Sequence, residues 1–296
     1  MDDGRDALAL RFETERPRLR AVAHRMLGSL GGAEDAVQEA WLRLGRVDAD
    51  GIDNLAAWLT TVVSRICLDM LRSRTARPED PVGQQVSDRI SDDGEHADPE
   101  REALLVDSVG RALLVVLDRL GPAERVAFVL HDLFAVPFEQ IAAVLERSPA
   151  AAKKLASRAR QRVHGAPLLP RAELDAHRHV VEAFLTASRG GDLDALVAVL
   201  APEVVRRSDP AAVPAGAATV ARGRAAVLEG VAAFGRRAGT AAVLLVNGQV
   251  GAVVAPGGRL RVALTFTVGD GLITGYEVIA DPARLRALEL AVLDPD

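Results

Sequence analysis

The chain has 296 residues, 49% of them apolar and 26% charged, which is enough to build two or three small globular domains. No apolar run approaches the roughly 18–20 residues that a membrane-crossing helix needs. The acidic opening Met1-Asp2-Asp3-Gly4-Arg5-Asp6 has no apolar signal-peptide stretch, and one cysteine, Cys67, excludes an internal disulfide framework and a thiolate zinc site. The reading is therefore a cytoplasmic protein with no membrane, metal or cofactor role. The net charge of −5 is unevenly spread: residues 107–165 carry 9 basic and 6 acidic side chains, and residues 81–106 carry 2 and 7. Phosphate binding follows the local field rather than the total, so the first of these segments remains open to nucleic acid.

In chain order, residues 8–75 read as an all-α domain. Leu19, Val22, Ala23, Met26 and Leu27 share one helix face, and Ala33, Ala36, Val37, Ala40, Trp41 and Leu44 share another. A third face holds Leu55, Trp58, Leu59, Val62, Val63, Ile66 and Met70, which places Trp58 in the core. The breaks lie at Gly28–Gly32 and Asp48–Gly51. Residues 78–101 lose this periodicity. With Pro78, Pro81 and Pro99 among acidic residues they read as a linker.

Residues 102–165 are helical again. Pro137 is placed at the start of a helix whose apolar face is Phe138, Ile141, Ala142 and Leu145. Arg147-Ser148-Pro149 then makes a turn, with Ser148 as N-cap of a second helix reaching about His164. Helix, three-residue turn, helix is the spacing of a helix-turn-helix. Its second helix buries Ala152, Leu155, Ala159 and Val163. Arg147, Lys153, Lys154, Arg158, Arg160 and Arg162 accompany it with no acidic residue between them. That pattern suits a recognition helix entering a major groove, with Ser148, Ala150, Lys153, Lys154, Ser157 and Arg158 as its DNA-binding set.

From 172 onward the pattern changes: helices near 172–189, 192–200 and 222–237, and β-like runs at 203–208, 241–247, 251–255, 259–268 and 272–280. Gly248, Gly257-Gly258 and Asp270-Gly271 mark hairpin turns. The reading is an α+β domain built on an antiparallel meander.

The segments Ala33–Arg43 and Leu55–Arg72 resemble regions 2.2 and 2.3–2.4 of bacterial RNA polymerase sigma factors of the extracytoplasmic-function type, and Leu120–Val163 resembles region 4. The resemblance implies a multidomain chain: region 2 over 1–77, the acidic linker 78–101, and region 4 with its helix-turn-helix over 102–165. It also implies core RNA polymerase and promoter DNA as partners, with the DNA-binding set of the second helix, Ser148 to Arg158, at the −35 element. Asp35, Gln38 and Glu39 match the positions that dock on polymerase. Asn54, Arg65, Arg72, Arg74 and Arg77 fall in the part that reads the −10 element, and the loop Asp48–Asn54 matches the family's pocket for a flipped base.

The stretches Phe184–Leu196, Ala201–Val205 and Asp270–Ile279 resemble the SnoaL-like, NTF2-like cone, here over 172–296. The whole chain thus resembles sigma-J-type factors, in which such a domain follows region 4 and modulates activity through intramolecular contacts or an unknown small ligand. The tail Ala280-Asp281-Pro282-Ala283-Arg284-Leu285 is similar to the Asn-Pro-x-Lys-Leu ending of that group, with departures at Ala280 and Arg284. Ser208–Ala212 departs from the Asp-Gly-Gly-Gly-Lys motif of ECF41-like members, and Glu79–Gly83 from their Trp-Leu-Pro-Glu-Pro linker. A tethered enzyme or a ligand-sensing helix-turn-helix regulator is the alternative. Asp209, Tyr276 and Glu277 are the only acid–base candidates for the enzyme, and no histidine falls on a predicted strand, so no catalytic step is expected. Leu285, Leu288 and Leu290 beside Arg284 and Arg286 are read as part of a docking surface.

Overall fold

A computed structural model describes residues 2–47, 51–76, 108–234 and 240–293. The chain divides into two compact units, Met1–Asp80 with Leu117–Arg162, and Pro81–Val116 with Val163–Asp296. The linker expectation over 78–101, Arg77 and the first residues of the loop Asp48–Asn54 lie outside the described residues.

The first unit opens with three helices, α1 (Asp2–Leu27), α2 (Leu30–Leu44) and α3 (Leu55–Ala76). Ser29 caps α2 by accepting the Gly32 N–H at 3.3 Å, and Asn54 Oδ1 caps α3 by accepting the Ala57 N–H at 3.0 Å. Leu19, Val22 and Met26 of α1 are fully buried, as are Ala33, Ala36 and Leu44 of α2 and Leu59 and Val63 of α3. Each fully buried leucine is worth about 1.5–3 kcal/mol relative to exposure. Trp41 is half-buried and packs its ring on Phe12, with centroids 4.8 Å apart.

The face of α3 differs from its periodicity. Thr60, Ser64, Cys67, Leu68 and Leu71 are buried as well, whereas Trp58, Val62 and Met70 are half-buried. The cause is a second packing partner. α3 packs on α1 and α2, and also on α5 (Pro122–Phe128) and α6 (Phe138–Leu145). Small polar residues tolerate this second contact; the Thr60 hydroxyl donates to the Ala56 carbonyl at 2.7 Å.

α4 (Ser108–Asp118) precedes α5, which runs on through a π-turn, Val129–Leu133. Pro137 takes the capping position just before α6 rather than its first turn. Glu146 ends α6 in the left-handed region, with φ at 54°. α7 (Pro149–His164) follows, and the Ser148 hydroxyl accepts the Ala151 N–H at 3.2 Å, the cap that the sequence predicts.

The second unit contains α8 (Arg171–Gly190), α9 (Leu193–Val199) and α10 (Arg224–Phe234), and a seven-stranded mixed sheet. Its strands are β1 (Leu200–Ser208), β2 (Val220–Arg222), β3 (Ala242–Val246), β4 (Gln249–Val254), β5 (Val262–Gly269), β6 (Leu272–Ile279) and β7 (Leu290–Ala291), in the order β2-β1-β6-β5-β4-β3-β7. The meander β3 to β6 is antiparallel as expected, but β1 joins β6 in parallel, with a bulge between Leu200 and Val205 that bends the sheet. The main core cluster, with Leu245, Val250, Ala252, Val254, Phe266 and Tyr276, lies on one face of this sheet. Phe184 of α8 meets Phe266 and Tyr276 at ring centroids 5.5 and 5.4 Å. Asn247-Gly248 and Asp270-Gly271 both have positive φ, the type I′ geometry of two-residue hairpins. Gly248 is doubly constrained, since a Cβ there would lie 2.9 Å from the Ala166 carbonyl.

The end of the chain closes its own unit. Asp281 caps α11 (Pro282–Ala287), and Leu285 and Leu290 are buried. β7 pairs with β3. These leucines are therefore unavailable for the docking surface expected from sequence; they complete the sheet. One carboxylate organises the closure. Asp209 accepts the N–H groups of Ala280 and Asp281, each at 3.0 Å, and the Arg284 guanidinium. Burial alone raises its pKa, but the two backbone donors and Arg284 outweigh it and hold the group below the ordinary carboxylate range. A depressed folded pKa contributes stability above the unfolded value, lost as pH falls through the folded one. Asp209→Ala is expected to cost the second unit about 2–4 kcal/mol at neutral pH. It should also flatten the loss of stability that sets in as pH falls through and below the ordinary carboxylate range, as read by chemical denaturation at a series of acidic pH values.

Candidate functional site

The turn before α7 exposes Arg147, Ser148 and Ala150, and the helix then exposes Lys153, Lys154, Ser157 and Arg158 on one side. Its opposite side is buried through Ala152, Ala156, Ala159 and Val163, while Leu155 is half-buried. The six cations of the segment separate into two groups. Arg160 pairs with Asp132 at 2.6 Å and Arg162 with Glu124 at 2.6 Å, both acids coming from the preceding helices. Arg147, Lys153, Lys154 and Arg158 make no ion pair among the described residues. The first group fastens α7 to its own bundle, and the second leaves a positively charged face opposite the buried one. All six residues of the expected −35 set lie on or beside this face.

The outer face of α2 carries Asp35 and Gln38, both exposed, and Glu39, whose carboxylate accepts from Arg43 at 2.9 Å. Leu42 and Val47 beside them are 50% and 46% exposed. Leu42 was missed from sequence, although an apolar residue off the buried stripe was the available signal.

The residues expected at the −10 element do not form one cluster. Asn54 is the cap of α3 and lines two adjoining clefts. Arg65 is exposed and donates to the Ala143 carbonyl of α6 at 2.7 Å. Arg72 makes a loose exposed pair with Asp69 at 3.7 Å. Arg74 serves the fold instead, donating to the Leu27 carbonyl at 2.9 Å and so satisfying the C-terminal end of α1. On the inner side of the same helix Cys67 is fully buried, and burial pushes its thiol up to about 12. Arg125 of α5 is 2% exposed and pairs with Asp118 at 3.2 Å. The pKa of His24 is lowered, first by its own burial and then by the charges of Arg25, Arg125 and Arg20.

The chain matches the Sigma-70 region 2 family over residues 11–77 and the Sigma-70 region 4 family over residues 110–163. It is 40% identical to the ECF RNA polymerase sigma factor SigJ of Mycobacterium tuberculosis over 292 residues, 94% of this chain and 93% of that protein. The chain belongs to the extracytoplasmic-function RNA polymerase sigma factors. The probable ECF RNA polymerase sigma factor SigI of the same species is 40% identical over 206 residues, 69% of this chain and 70% of the relative. The crystal structure of Mycobacterium tuberculosis SigJ aligns at 37% identity over 94% of this chain and 98% of the other, with a TM-score of 0.45.

As expected for this sigma factor, helical regions come first and a sheet domain follows. The acid–base candidates of that domain have structural partners. Arg284 bonds both Asp209 and Glu277, the latter at 2.9 Å, and Tyr276 is buried among aromatic rings, its hydroxyl pushed up to about 12 by burial. Among the described residues no helix is long and apolar enough to cross a membrane, and no histidine, cysteine and carboxylate cluster of metal-binding type occurs. Because Cys67 is sealed in the α3 core, a maleimide should not label native protein at pH 8. Labelling should proceed only at the rate of unfolding, which mass spectrometry after a timed quench would read.

Proposed function

We propose that this sigma factor binds core RNA polymerase in the cytoplasm, carries it to promoters with −35 and −10 elements, and helps to open the −10 region. The observation that carries this reading is the unpaired cationic face of α7 behind a serine-capped turn. The cap positions the helix N-terminus for a major groove, and Lys153, Lys154 and Arg158 are placed to release counterions from phosphates. The Ser148 oxygen accepts a backbone N–H, so its hydroxyl proton remains free to donate to a phosphate. Asp35, Gln38 and Glu39, with Leu42, form the proposed contact with polymerase.

At the −10 element Arg65 and Arg72 supply cations along the outer side of α3, and Asn54 stands at its start. Arg77 belongs to the same proposed set. The capture of an extruded base returns binding energy for the lost stacking, so strand opening proceeds without ATP. The two promoter elements are separated in space, whereas α5 and α6 now pack on α3. Engagement therefore exchanges that packing, and the bond from Arg65 to Ala143, for contacts with DNA and polymerase. In that exchange the Arg65 guanidinium trades a neutral carbonyl for an anionic phosphate oxygen, a partner of opposite charge. No catalytic step and no cofactor are required. The SnoaL-like domain, tethered directly after α7, modulates the equilibrium by its high local concentration near the sigma regions.

Run-off transcription with core polymerase tests the reading. The full chain should support promoter-dependent transcript. Truncation after Gly165 should change its yield severalfold in either direction, whereas equal yields would make the SnoaL-like domain a passenger. Asp35→Ala with Glu39→Ala should weaken binding to core enzyme and leave thermal stability unchanged. Lys154→Ala and Arg158→Ala should each lower the slope of log affinity against log salt by about one. An unchanged slope would remove these side chains from the phosphate interface.

A further inference from the structure

The core-facing side of the second unit's sheet carries a cation with no counterion among the described residues. Arg206 of β1 stands in register with Tyr276 of β6, and residues in register share a face of the sheet. Arg206 is half-buried, and its Nε is sealed from solvent without a partner. Its guanidinium makes no hydrogen bond or ion pair among the described residues. Gly230 of α10 makes room for it, since a Cβ there would occupy the place of the guanidinium. The Tyr276 ring is buried against Phe184 and Phe266, and its hydroxyl likewise has no hydrogen bond among the described residues. Burial raises the pKa of that hydroxyl and the Arg206 charge acts against the rise, so the two groups share one environment.

The carboxylates nearest along these strands are engaged elsewhere. Asp209 is taken by the backbone of the tail and by Arg284. Glu277 follows Tyr276, so it lies on the opposite face, where it also meets Arg284. A half-buried cation beside aromatic rings is costly unless an anion pairs with it. A guanidinium fork and a hydroxyl donor match the two oxygens of a carboxylate. The next row of the same face supplies apolar surface. Val278 stands in register with Leu264, Leu264 with Ala252, and Ala252 with Val243. Val243, Leu264 and Val278 pack on the core yet are only half-buried, so apolar area remains exposed beside the two donors. We infer that this face binds an apolar carboxylic acid, with its carboxylate on Arg206 and the Tyr276 hydroxyl and its hydrocarbon part along Val278, Leu264 and Val243. The inference names a ligand class for the modulating role proposed above for the SnoaL-like domain, and for its consequence it rests on that role.

The test titrates octanoate into the full chain by calorimetry, with octanol as the uncharged control. Octanoate should bind saturably, and octanol about 10-fold or more weaker, because it lacks the charge-assisted pair. Arg206→Gln should weaken octanoate by about 10-fold or more and leave octanol unchanged. Tyr276→Phe keeps the ring and removes one donor, so it should weaken octanoate by about 3-fold to 10-fold. Thermal melts report on folding, and the second variant keeps the question decidable where the first is unstable. No saturable octanoate binding, equal affinity for octanoate and octanol, or wild-type affinity in the folded variants would overturn the inference. Each of these results leaves the sigma function standing, because the measurement reads no transcript. Octanoate binding together with equal transcript yields before and after truncation at Gly165 would keep the site and remove its modulating role.

Discussion

Burial of α3 on more than one side is the constraint on which the first unit depends. A helix packed against a single layer buries one stripe and leaves the rest to solvent. α3 has α1 and α2 on one flank and α5 and α6 on another, so Leu59 and Val63 are joined in the core by Thr60, Ser64 and Cys67. Small side chains permit the close approach. The cost is a set of buried polar atoms without partners, among them the Ser64 hydroxyl, His24 Nε2 and Arg125 Nε. Such orphaned groups weaken an interface relative to a fully apolar one. A moderately stable contact between the sigma regions is what a protein needs if the same helices are to separate on polymerase.

That packing also decides which side chains are left exposed. Arg65, Arg72 and Arg74 all stay exposed on α3, while Arg65 also reaches the Ala143 carbonyl and Arg74 the Leu27 carbonyl. On α7 the division is made by ion pairs. Asp132 and Glu124 retain Arg160 and Arg162, and the remaining cations face outward. In each case the fold sorts chemically equivalent arginines into structural and available groups by what lies within reach.

The second unit obtains its closure from charge rather than from apolar area alone. Asp209 joins the end of β1 to the beginning of the tail, and Arg284 binds Asp209 and Glu277 together. Asp281 and Arg284 build a cap and an ion pair that seat α11 and bring β7 to β3. Leucines that look available in the sequence are consumed by this seating.

Much of this protein was determined by sequence alone, because the signals are local. Ser148 three residues before a free N–H, the 3.6-residue stripe of α7 and the Asn-Gly and Asp-Gly turns each depend on neighbours a few residues away. The sigma-type blocks were legible for the same reason, being continuous stretches. Only the tertiary structure decided what depends on distant partners. It made Trp58 half-buried, because α5 and α6 bury a different side of α3. It paired β1 with β6 in parallel, made Asp209 a clasp, and gave the exposed Arg74 the Leu27 carbonyl as a partner. It also brought Arg11 and Glu15 to the start of α3, although they occupy the polar side of an amphipathic helix and carry no motif. Periodicity tells which side of a helix is buried against one layer; it contains no information on a second layer, nor on which acid will meet a given arginine.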